Sequence, residues 1–202
     1  MISPIKVFDS WALLGKDEGM EKNHSIAVNE MINMLIGKPN DQFSFIDAGC
    51  GNGWTVRRVN KNNLCSYSLG IDGSKNMIEK AKKKDPTGLY ICSDLLQWKP
   101  KDKVDYVHSM EVLYYFNDPG KLLKYIYDYW LKEKGALIVG IDYYKENKNS
   151  HSWPNRLNTD MTLFSKKEWL NCFTKAGFHN VELFQINSSK DFKGTLVIKG
   201  NS

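Results

Sequence analysis

Short apolar runs rich in β-branched and aromatic residues recur along the chain, and segments with helical spacing separate them. Each run is four to seven residues long, which is typical of a buried strand rather than of a helix. We therefore predict seven strands, at Phe43–Asp47, Ser66–Asp72, Leu89–Cys92, Val104–Ser109, Ala136–Asp142, Val181–Ile186 and Thr195–Lys199.

Between these runs, apolar residues three and four positions apart predict amphipathic helices. Ser74 is a suitable N-cap for one of them, and Ser165 with Glu168 matches a capping box that opens another, which should end near Gly177. Gly135 is expected to end the helix before the fifth strand. The apolar faces are Ala27, Met31, Met34 and Leu35; Met77, Ile78 and Ala81; and Leu122, Leu123, Ile126 and Trp130.

The order of these elements predicts an α/β fold. Strands that alternate with helices form a mostly parallel, doubly wound sheet with helices on both faces. The connection between Ile186 and Thr195 is only about eight residues long, which is too short for a right-handed crossover. The last strand should therefore run antiparallel.

Composition narrows the class of protein. At roughly 150 residues per domain, 202 residues predict a single domain over 1–202, and the apolar content of 42% is enough for a full core. No run approaches the ~20 apolar residues of a membrane span, and no secretory signal opens the chain, so we expect a cytoplasmic protein. The four cysteines form no CxxC pair, which disfavours a disulfide framework and structural zinc.

Three glycines follow the first strand at alternate positions, Gly49, Gly51 and Gly53. Glycine lets the backbone approach a ligand at the carboxyl ends of the strands, where doubly wound sheets bind cofactors. The spacing differs from the G-x-G-x-x-G of dinucleotide-binding loops. Asp47 would repel a pyrophosphate by ~1–4 kcal/mol but attract an ammonium group. The loop is therefore predicted to hold a nucleoside that carries a positive group.

Acidic residues also follow the second and third strands. Asp72 closes the second strand, where such folds bind both ribose hydroxyls with one carboxylate; its alternative role is a turn or helix cap. Asp94, between Ser93 and Leu95, could accept a hydrogen bond from an adenine amino group while Leu95 flanks the ring. The alternative for Asp94 is a turn residue.

Together these motifs resemble the class I S-adenosylmethionine (SAM)-dependent methyltransferases. The resemblance covers roughly residues 25–200 and also rests on Asp105–Val107, Glu111–Leu113, Lys134–Leu137 and Lys175–Phe178. It implies a Rossmann-like sheet of seven strands, with SAM as methyl donor and S-adenosylhomocysteine (SAH) as product.

The resemblance also implies which residues contact the cofactor. They are Asp47, Gly49, Gly51 and Gly53 around the methionine part, Asp72 at the ribose, Ser93, Asp94 and Leu95 at the adenine, and Ser109 and Met110 near the sulfonium.

The methyl acceptor is expected to be a small molecule. In-line positioning supplies much of the catalysis of methyl transfer, and a base is needed only if the acceptor arrives protonated. Residues 109–115 do not form the Asn/Asp-Pro-Pro-aromatic motif associated with methylation of planar amino groups. No acidic pattern predicts a metal site.

Two segments outside the strands are candidates for contact with the acceptor. Residues 1–42 would form an N-terminal cap, and 143–164, too long for a simple connector, would fold over the site as a lid. His151 is the candidate general base and Tyr115 a second catalytic candidate; ordinary loop and packing roles are the alternatives. The other acceptor-facing candidates are Trp11, His24, Tyr114, Tyr143, Trp153 and Arg156.

Three other functions stay open. The net charge of +5 would suit a methyltransferase acting on tRNA, although the chain shows no appended RNA-binding module and no dense arginine cluster. A SAM-binding module without catalysis is another alternative. A nicotinamide-dependent oxidoreductase is disfavoured by Asp47 and the glycine spacing. We expect a small-molecule substrate, no membrane partner, and a monomer or homodimer; a nucleic-acid partner is disfavoured but stays open.

Overall fold

A computed structural model of the chain describes residues 1–190 and 192–202 and contains one sheet of seven strands. In chain order the strands are Phe43–Ala48 (β1), Cys65–Asp72 (β2), Leu89–Cys92 (β3), Val104–Met110 (β4), Leu131–Ile141 (β5), His179–Ile186 (β6) and Thr195–Asn201 (β7). The helices are Pro4–Leu13 (α1), Asp17–Ile36 (α2), Trp54–Val59 (α3), Lys75–Lys84 (α4), Pro119–Tyr129 (α5), Trp153–Leu157 (α6) and Lys166–Ala176 (α7), with 3-10 turns at Leu113–Tyr115 and Lys148–Ser150.

The strand order is β3-β2-β1-β4-β5-β7-β6. Strands β1 to β5 pair in parallel, whereas β7 runs antiparallel to both of its neighbours. The predicted α/β sheet with an antiparallel last strand is therefore confirmed. In this register Asp47 lies beside Gly70 on one side and His108 on the other, which brings the ends of β1, β2 and β4 together.

Alternate residues of the central strands pack on opposite faces of the sheet. On one face Ile46 and Leu137 belong to a cluster that includes Trp169 of α7. On the other face Phe45 and Ile138 pack in the cluster that contains residues of α2. This alternation is the period of two that a pleated strand imposes, and it places helices on both faces of the sheet.

Helix boundaries follow the sequence signals, with one exception. Ser74 caps α4 by accepting a hydrogen bond from the Met77 amide, and the capping box of Ser165 is present at the start of α7. The expectation that Gly135 ends a helix was wrong, because α5 ends at Tyr129 and Gly135 lies within β5. A Cβ at Gly135 would lie 3.0 Å from the carbonyl oxygen of Asp105 in β4. Gly135 therefore serves close strand pairing.

No helix among residues 1–190 and 192–202 combines the length and the apolar character needed to cross a bilayer.

Candidate active site

A cavity of about 250 Å³ opens at the carboxyl ends of β1, β2 and β4, beneath α1 and the start of α2. Most of the residues that the sequence assigned to the cofactor line this cavity. They are Asp47, Gly49, Gly51, Asp72, Ser93, Asp94, Leu95 and Met110. Two acceptor-side candidates, His24 and Tyr115, line it as well.

The loop after β1 is shaped by glycine backbone conformations. Gly49 has φ of 79°, and a Cβ there would lie 2.2 Å from Cγ2 of Val112. Gly51 also has positive φ, lines the cavity and has open space at the position of a Cβ. Gly53 does not line the cavity; it precedes α3, and a Cβ there would strike the Tyr90 ring. Its role in the structure is therefore packing.

The Asp72 carboxylate is held by two backbone amides. Gly51 N–H donates to Oδ2 at 2.9 Å, and Ser74 N–H donates to Oδ1 at 2.8 Å. Burial raises the pKa of Asp72, and these two amides oppose that shift by favouring the charged form. Each carboxylate oxygen can still accept a further hydrogen bond, as a ribose diol requires.

Asp47 pairs with a histidine that sequence reasoning missed. Nδ1 of His108 lies 2.7 Å from Oδ1 of Asp47, and both residues line the cavity. His108 is fully buried, and its Nε2 has no hydrogen-bond partner among the described residues. The strand register could have revealed this contact, since the two residues are direct cross-strand neighbours.

The loop after β3 contributes one exposed and one buried side chain. Asp94 is exposed, and its Oδ1 accepts a hydrogen bond from the Leu96 amide at 2.8 Å. Leu95 is buried and lines the cavity. Together they present an apolar surface beside a carboxylate, which suits the face and amino edge of an adenine.

Helix α1 covers the cavity from the N-terminal side. Phe8 lines the cavity and packs edge-on against Tyr115, with ring centroids 5.3 Å apart. Asp9 ties α1 to the start of α4 by accepting hydrogen bonds from Ser74 Oγ and the Asn76 amide. Trp11 packs on the Phe8 ring but does not line the cavity.

Glu111 lies at the end of β4, directly after Met110, with its backbone in the left-handed region at φ 61°. The residue is buried and lines the cavity. Its Oε2 accepts a hydrogen bond from Tyr114 Oη at 2.7 Å, and its Oε1 accepts one from the Asp142 amide at 2.5 Å. Burial, followed by the nearby charge of Asp142, raises the pKa of Glu111 to about 8.

His24 approaches Glu111 and Asp142 from α2. Its Nδ1 lies 2.8 Å from the Met20 carbonyl oxygen, and its Nε2 lies 3.5 Å from Oδ2 of Asp142. Burial opposes the charged imidazolium, but the carboxylates of Asp142 and Glu111 outweigh it and raise the pKa of His24 to about 9. Ligand atoms of His24, Glu111 and Asp142 lie within 4.8 Å of one another, a spacing that a metal ion could bridge.

None of the residues of the insert 143–164, which the sequence predicts to be a lid, lines the cavity. The insert supports the wall from behind: Thr162 donates hydrogen bonds to the Tyr114 and Phe116 carbonyls. Tyr143 is buried between Tyr114 and Trp153.

The expected base His151 lies outside the cavity lining. It is exposed, and its Nε2 lies 3.1 Å from the Lys145 carbonyl oxygen. Arg156 is exposed and does not line the cavity. The same is true of the cavity contact expected for three aromatic candidates: the lining does not include Tyr114, Tyr143 or Trp153. Sequence reasoning missed the roles of Glu111 and Asp142, which are adjacent only because β4 and β5 pair in parallel.

The charges that face the cavity are mainly negative. Among the described residues its lining includes five carboxylates and two histidines, but no lysine or arginine. One of the carboxylates, Asp17, is neutralised by Lys80, whose Nζ lies 2.5 Å from Oδ1. Such a lining favours cationic ligands and disfavours a phosphate backbone.

Comparisons with known proteins agree with this geometry. Residues 20–183 match the family model described as a methyltransferase domain. The trans-aconitate 2-methyltransferase of Rhizobium etli is 29% identical over 94 residues, which cover 46% of this chain and 36% of that relative. The chain therefore matches little more than a third of this curated relative's length.

Solved structures extend the likeness to the whole fold. The methyltransferase chain of a complex with the Haloferax volcanii Trm112 methyltransferase activator is 27% identical, with a TM-score of 0.84 and 96% coverage of both chains. A SAM-dependent methyltransferase from Thermotoga maritima is 19% identical, with a TM-score of 0.74 over 97% of this chain and 98% of that one; this likeness concerns the fold. The glycine loop, the held Asp72, the sheet order and the family match show that the chain belongs to the class I SAM-dependent methyltransferases.

Proposed function

We propose that the protein transfers a methyl group from SAM to a small-molecule acceptor, and that both bind in the cavity beneath α1. The observation that carries this proposal is the cavity itself: it is covered by the chain's own N-terminal helix, and none of the described residues that line it is a lysine or an arginine. A nucleic-acid substrate would need an open basic surface. The net charge of +5 therefore belongs to the outer surface rather than to the site.

The residues fit the methyl donor group by group. Gly49 and Gly51 leave room for the methionine part, with the Asp47 carboxylate available to its ammonium. Asp72, held by the Gly51 and Ser74 amides, would take the ribose hydroxyls. Asp94 and Leu95 would hold the adenine.

When bound, SAM supplies an activated methyl group, and the protein's task is to align the acceptor with it. Holding the nucleophile ~3–3.5 Å from the methyl carbon and in line with the C–S bond provides much of the rate enhancement. In this chain Met110, Tyr115 and Phe116 would shape that position, because they line the cavity at the end of β4 and just after it. Catalysis therefore rests on placement and on the removal of any proton that the nucleophile carries.

The curated relative's name includes trans-aconitate, a tricarboxylate. Recognition of several carboxylates calls for arginine or lysine, and the described lining offers neither. We therefore do not propose this acceptor for the present chain.

Calorimetry with SAM, SAH and NAD tests the cofactor site. We expect micromolar binding of SAM and SAH, no binding of NAD, and loss of SAM binding in Asp72→Ala. Asp41→Ala, an exposed aspartate before β1, is the matched control and should bind like the wild type. Binding of NAD in place of SAM would contradict the proposal.

Methyl transfer is tested with SAM labelled on the methyl group. Label that appears in the low-molecular-weight fraction supports the small-molecule acceptor. Label in nuclease-sensitive RNA would favour the tRNA alternative, and bound SAM with no transfer to either pool would favour a non-catalytic module. The cytoplasmic location stays a prediction.

We also propose an activator subunit as a protein partner, because the methyltransferase chain that is 27% identical was solved in complex with the activator Trm112. We expect a Trm112-type protein to co-elute with the chain in size-exclusion chromatography if the likeness extends to assembly. Separate elution, with full SAM binding by the chain alone, would favour the monomer or homodimer expected from the sequence.

A further inference from the structure

We propose that the methyl acceptor is an amine, bound as its ammonium ion at the Glu111 group, and that Glu111 accepts its proton. The Glu111 group is the set His24, Met110, Glu111, Tyr115 and Phe116, all of which line the cavity. This inference rests on the proposed function and names the acceptor class for the same site.

The Glu111 carboxylate is held ready to receive a donor. Tyr114 Oη and the Asp142 amide each donate a hydrogen bond to one of its two oxygens. The backbone of Glu111 is left-handed, directly after the end of β4. A carboxylate oxygen accepts more than one hydrogen bond, so both oxygens retain capacity for an ammonium N–H. The adjacent residue is Met110, which the family resemblance places near the sulfonium.

The charges around Glu111 favour a cation over an anion. Asp142 lies behind Glu111 with its Oδ1 buried and without a partner among the described residues. His24 is the basic side chain of the Glu111 group, and it lies 3.5 Å from Asp142. Once Glu111 has ionised, one imidazolium between two carboxylates leaves the Glu111 group and Asp142 together with a net negative charge.

Aromatic side chains add a second preference for a cation. The rings of Phe8 and Tyr115 pack edge-on beside the cavity, and Phe116 lines it as well. Aromatic faces attract ammonium groups and offer nothing to carboxylates. An ammonium that enters between these rings and Glu111 would exchange its water shell for a carboxylate and ring faces.

The chemistry requires a proton acceptor at this place. An ammonium has no lone pair, so one N–H bond must break first and its proton passes to the Glu111 carboxylate. The freed nitrogen pair then forms a bond to the methyl carbon of SAM, while the C–S bonding pair stays on sulfur as SAH leaves. The pKa of Glu111, raised to about 8 by burial and by Asp142, is near that of a group that can take and release a proton at neutral pH.

Other ionisable groups face Glu111 from every element packed around it. His24 approaches from α2, Asp142 from the end of β5, and Tyr114 and Tyr115 from the 3-10 turn. His24 lowers the pKa of Glu111, whereas Asp142 raises it. His24 is therefore a positioning residue that keeps the carboxylate able to ionise.

The first test measures binding of charged probes to protein saturated with SAH. Benzylammonium, benzyl alcohol and benzoate share one ring and differ in the polar group. We expect benzylammonium to bind at least about tenfold more tightly than benzoate, and Glu111→Gln to reduce its affinity by about fivefold or more. Glu182→Gln removes an exposed carboxylate of β6 and should change nothing.

The outcomes separate this inference from the proposed function. No SAH binding by the wild type would overturn the proposed function. SAH binding with equal or reversed preference for benzoate, or with no detectable benzylammonium binding at millimolar concentration, would overturn the amine alone. Saturable binding of Mn²⁺ or Zn²⁺ that Glu111→Gln abolishes would assign the three donors to a metal ion and would also overturn it.

Turnover supplies the second test. A bacterial metabolite extract is split by cation exchange, and each fraction is incubated with the enzyme and methyl-labelled SAM. We expect label in the fraction retained as cations, with a rate that rises with pH through the ionisation of Glu111 and a loss of about 100-fold in Glu111→Gln at unchanged SAM affinity. Label only in the anionic fraction, or a Glu111→Gln rate with the same pH profile, would overturn the inference.

Discussion

Two groups of residues in the same cavity are built in different ways. The glycine-loop group (Asp47, Gly49, Gly51 and Asp72) lies within 26 residues of chain and is organised by backbone amides and glycine conformations. The Glu111 group and its partner Asp142 come from α2, the end of β4, the 3-10 turn that follows it, and the end of β5. Side-chain contacts organise the second group.

The contrast follows from what each ligand part demands. The methyl donor presents the same ribose and amino-acid groups to every enzyme that uses it, and backbone amides can meet those groups with little dependence on side chains. An acceptor varies, so its site is assembled from side chains that meet only in the folded chain. We therefore expect single local substitutions to impair the glycine-loop group, and substitutions that change charge to impair the Glu111 group.

The largest expected effect is on the glycine-loop group. Asp72→Ala removes the carboxylate that Gly51 and Ser74 hold, and it should weaken SAM binding by about 100-fold or more, equivalent to ~3 kcal/mol. Asp94→Ala, at the exposed aspartate of the same site, should cost about tenfold or less. Calorimetry measures both, and equal losses in the two variants would contradict the central role of Asp72.

Gly49→Ala tests the backbone directly. A Cβ at Gly49 would need positive φ and would meet Val112 at 2.2 Å, so we expect a loss of about 2–3 kcal/mol in the free energy of unfolding. Gly15→Ala has a similar φ of 71° but no neighbouring atom within 4 Å, and should cost about 1 kcal/mol. Chemical denaturation compares the two; a loss at Gly49 no greater than at Gly15 would show that contact with Val112 is unimportant.

The Glu111 group should make stability depend on pH. The pKa of His24 in the folded state, about 9, exceeds its ordinary value of 6.5, and the pKa of Glu111, about 8, exceeds its ordinary value of 4.5. The folded state then binds more protons than the unfolded state, so stability falls as pH rises. We expect a loss of about 2 kcal/mol between about pH 7 and pH 8.

Urea denaturation across this pH range measures the slope. Glu111→Gln and His24→Gln should each flatten it, whereas the control Glu182→Gln should keep the wild-type slope. A stability that rises with pH over the same window would show that these two groups do not hold their protons in the folded state.

The smallest expected effect concerns helix α1, which covers the cavity. Asp9→Ala removes the hydrogen bonds from Ser74 Oγ and the Asn76 amide that tie α1 to α4, and should cost about 1 kcal/mol of stability. Because α1 covers the cavity, we also expect faster SAH dissociation in stopped-flow experiments. Ser10→Ala, at the exposed neighbour whose Oγ bonds only within α1, is the control, and equal dissociation rates in the two variants would contradict a covering role for α1.

Much of the fold could be predicted because each signal is local. The apolar runs, the capping box at Ser165 and the short connection before β7 are all patterns within a few residues. Gly135 misled because a glycine after an apolar stripe is typical of a helix end, yet here it allows close contact with Asp105. That contact lies across the sheet and leaves no local trace.

The candidate site likewise has one part that local sequence signals predict and one part that depends on contacts between distant residues. The composition and spacing of Asp47, the glycines and Asp72 were enough to predict the methyl-donor site that we propose, because one short loop and the ends of β1 and β2 would build it. His151 is the base that the sequence predicts, but the insert packs behind the 3-10 turn and leaves that side chain exposed. Only the tertiary structure decided that Glu111, Asp142 and His24 meet, because strand pairing and the docking of α2 bring together groups 31 and 118 residues apart.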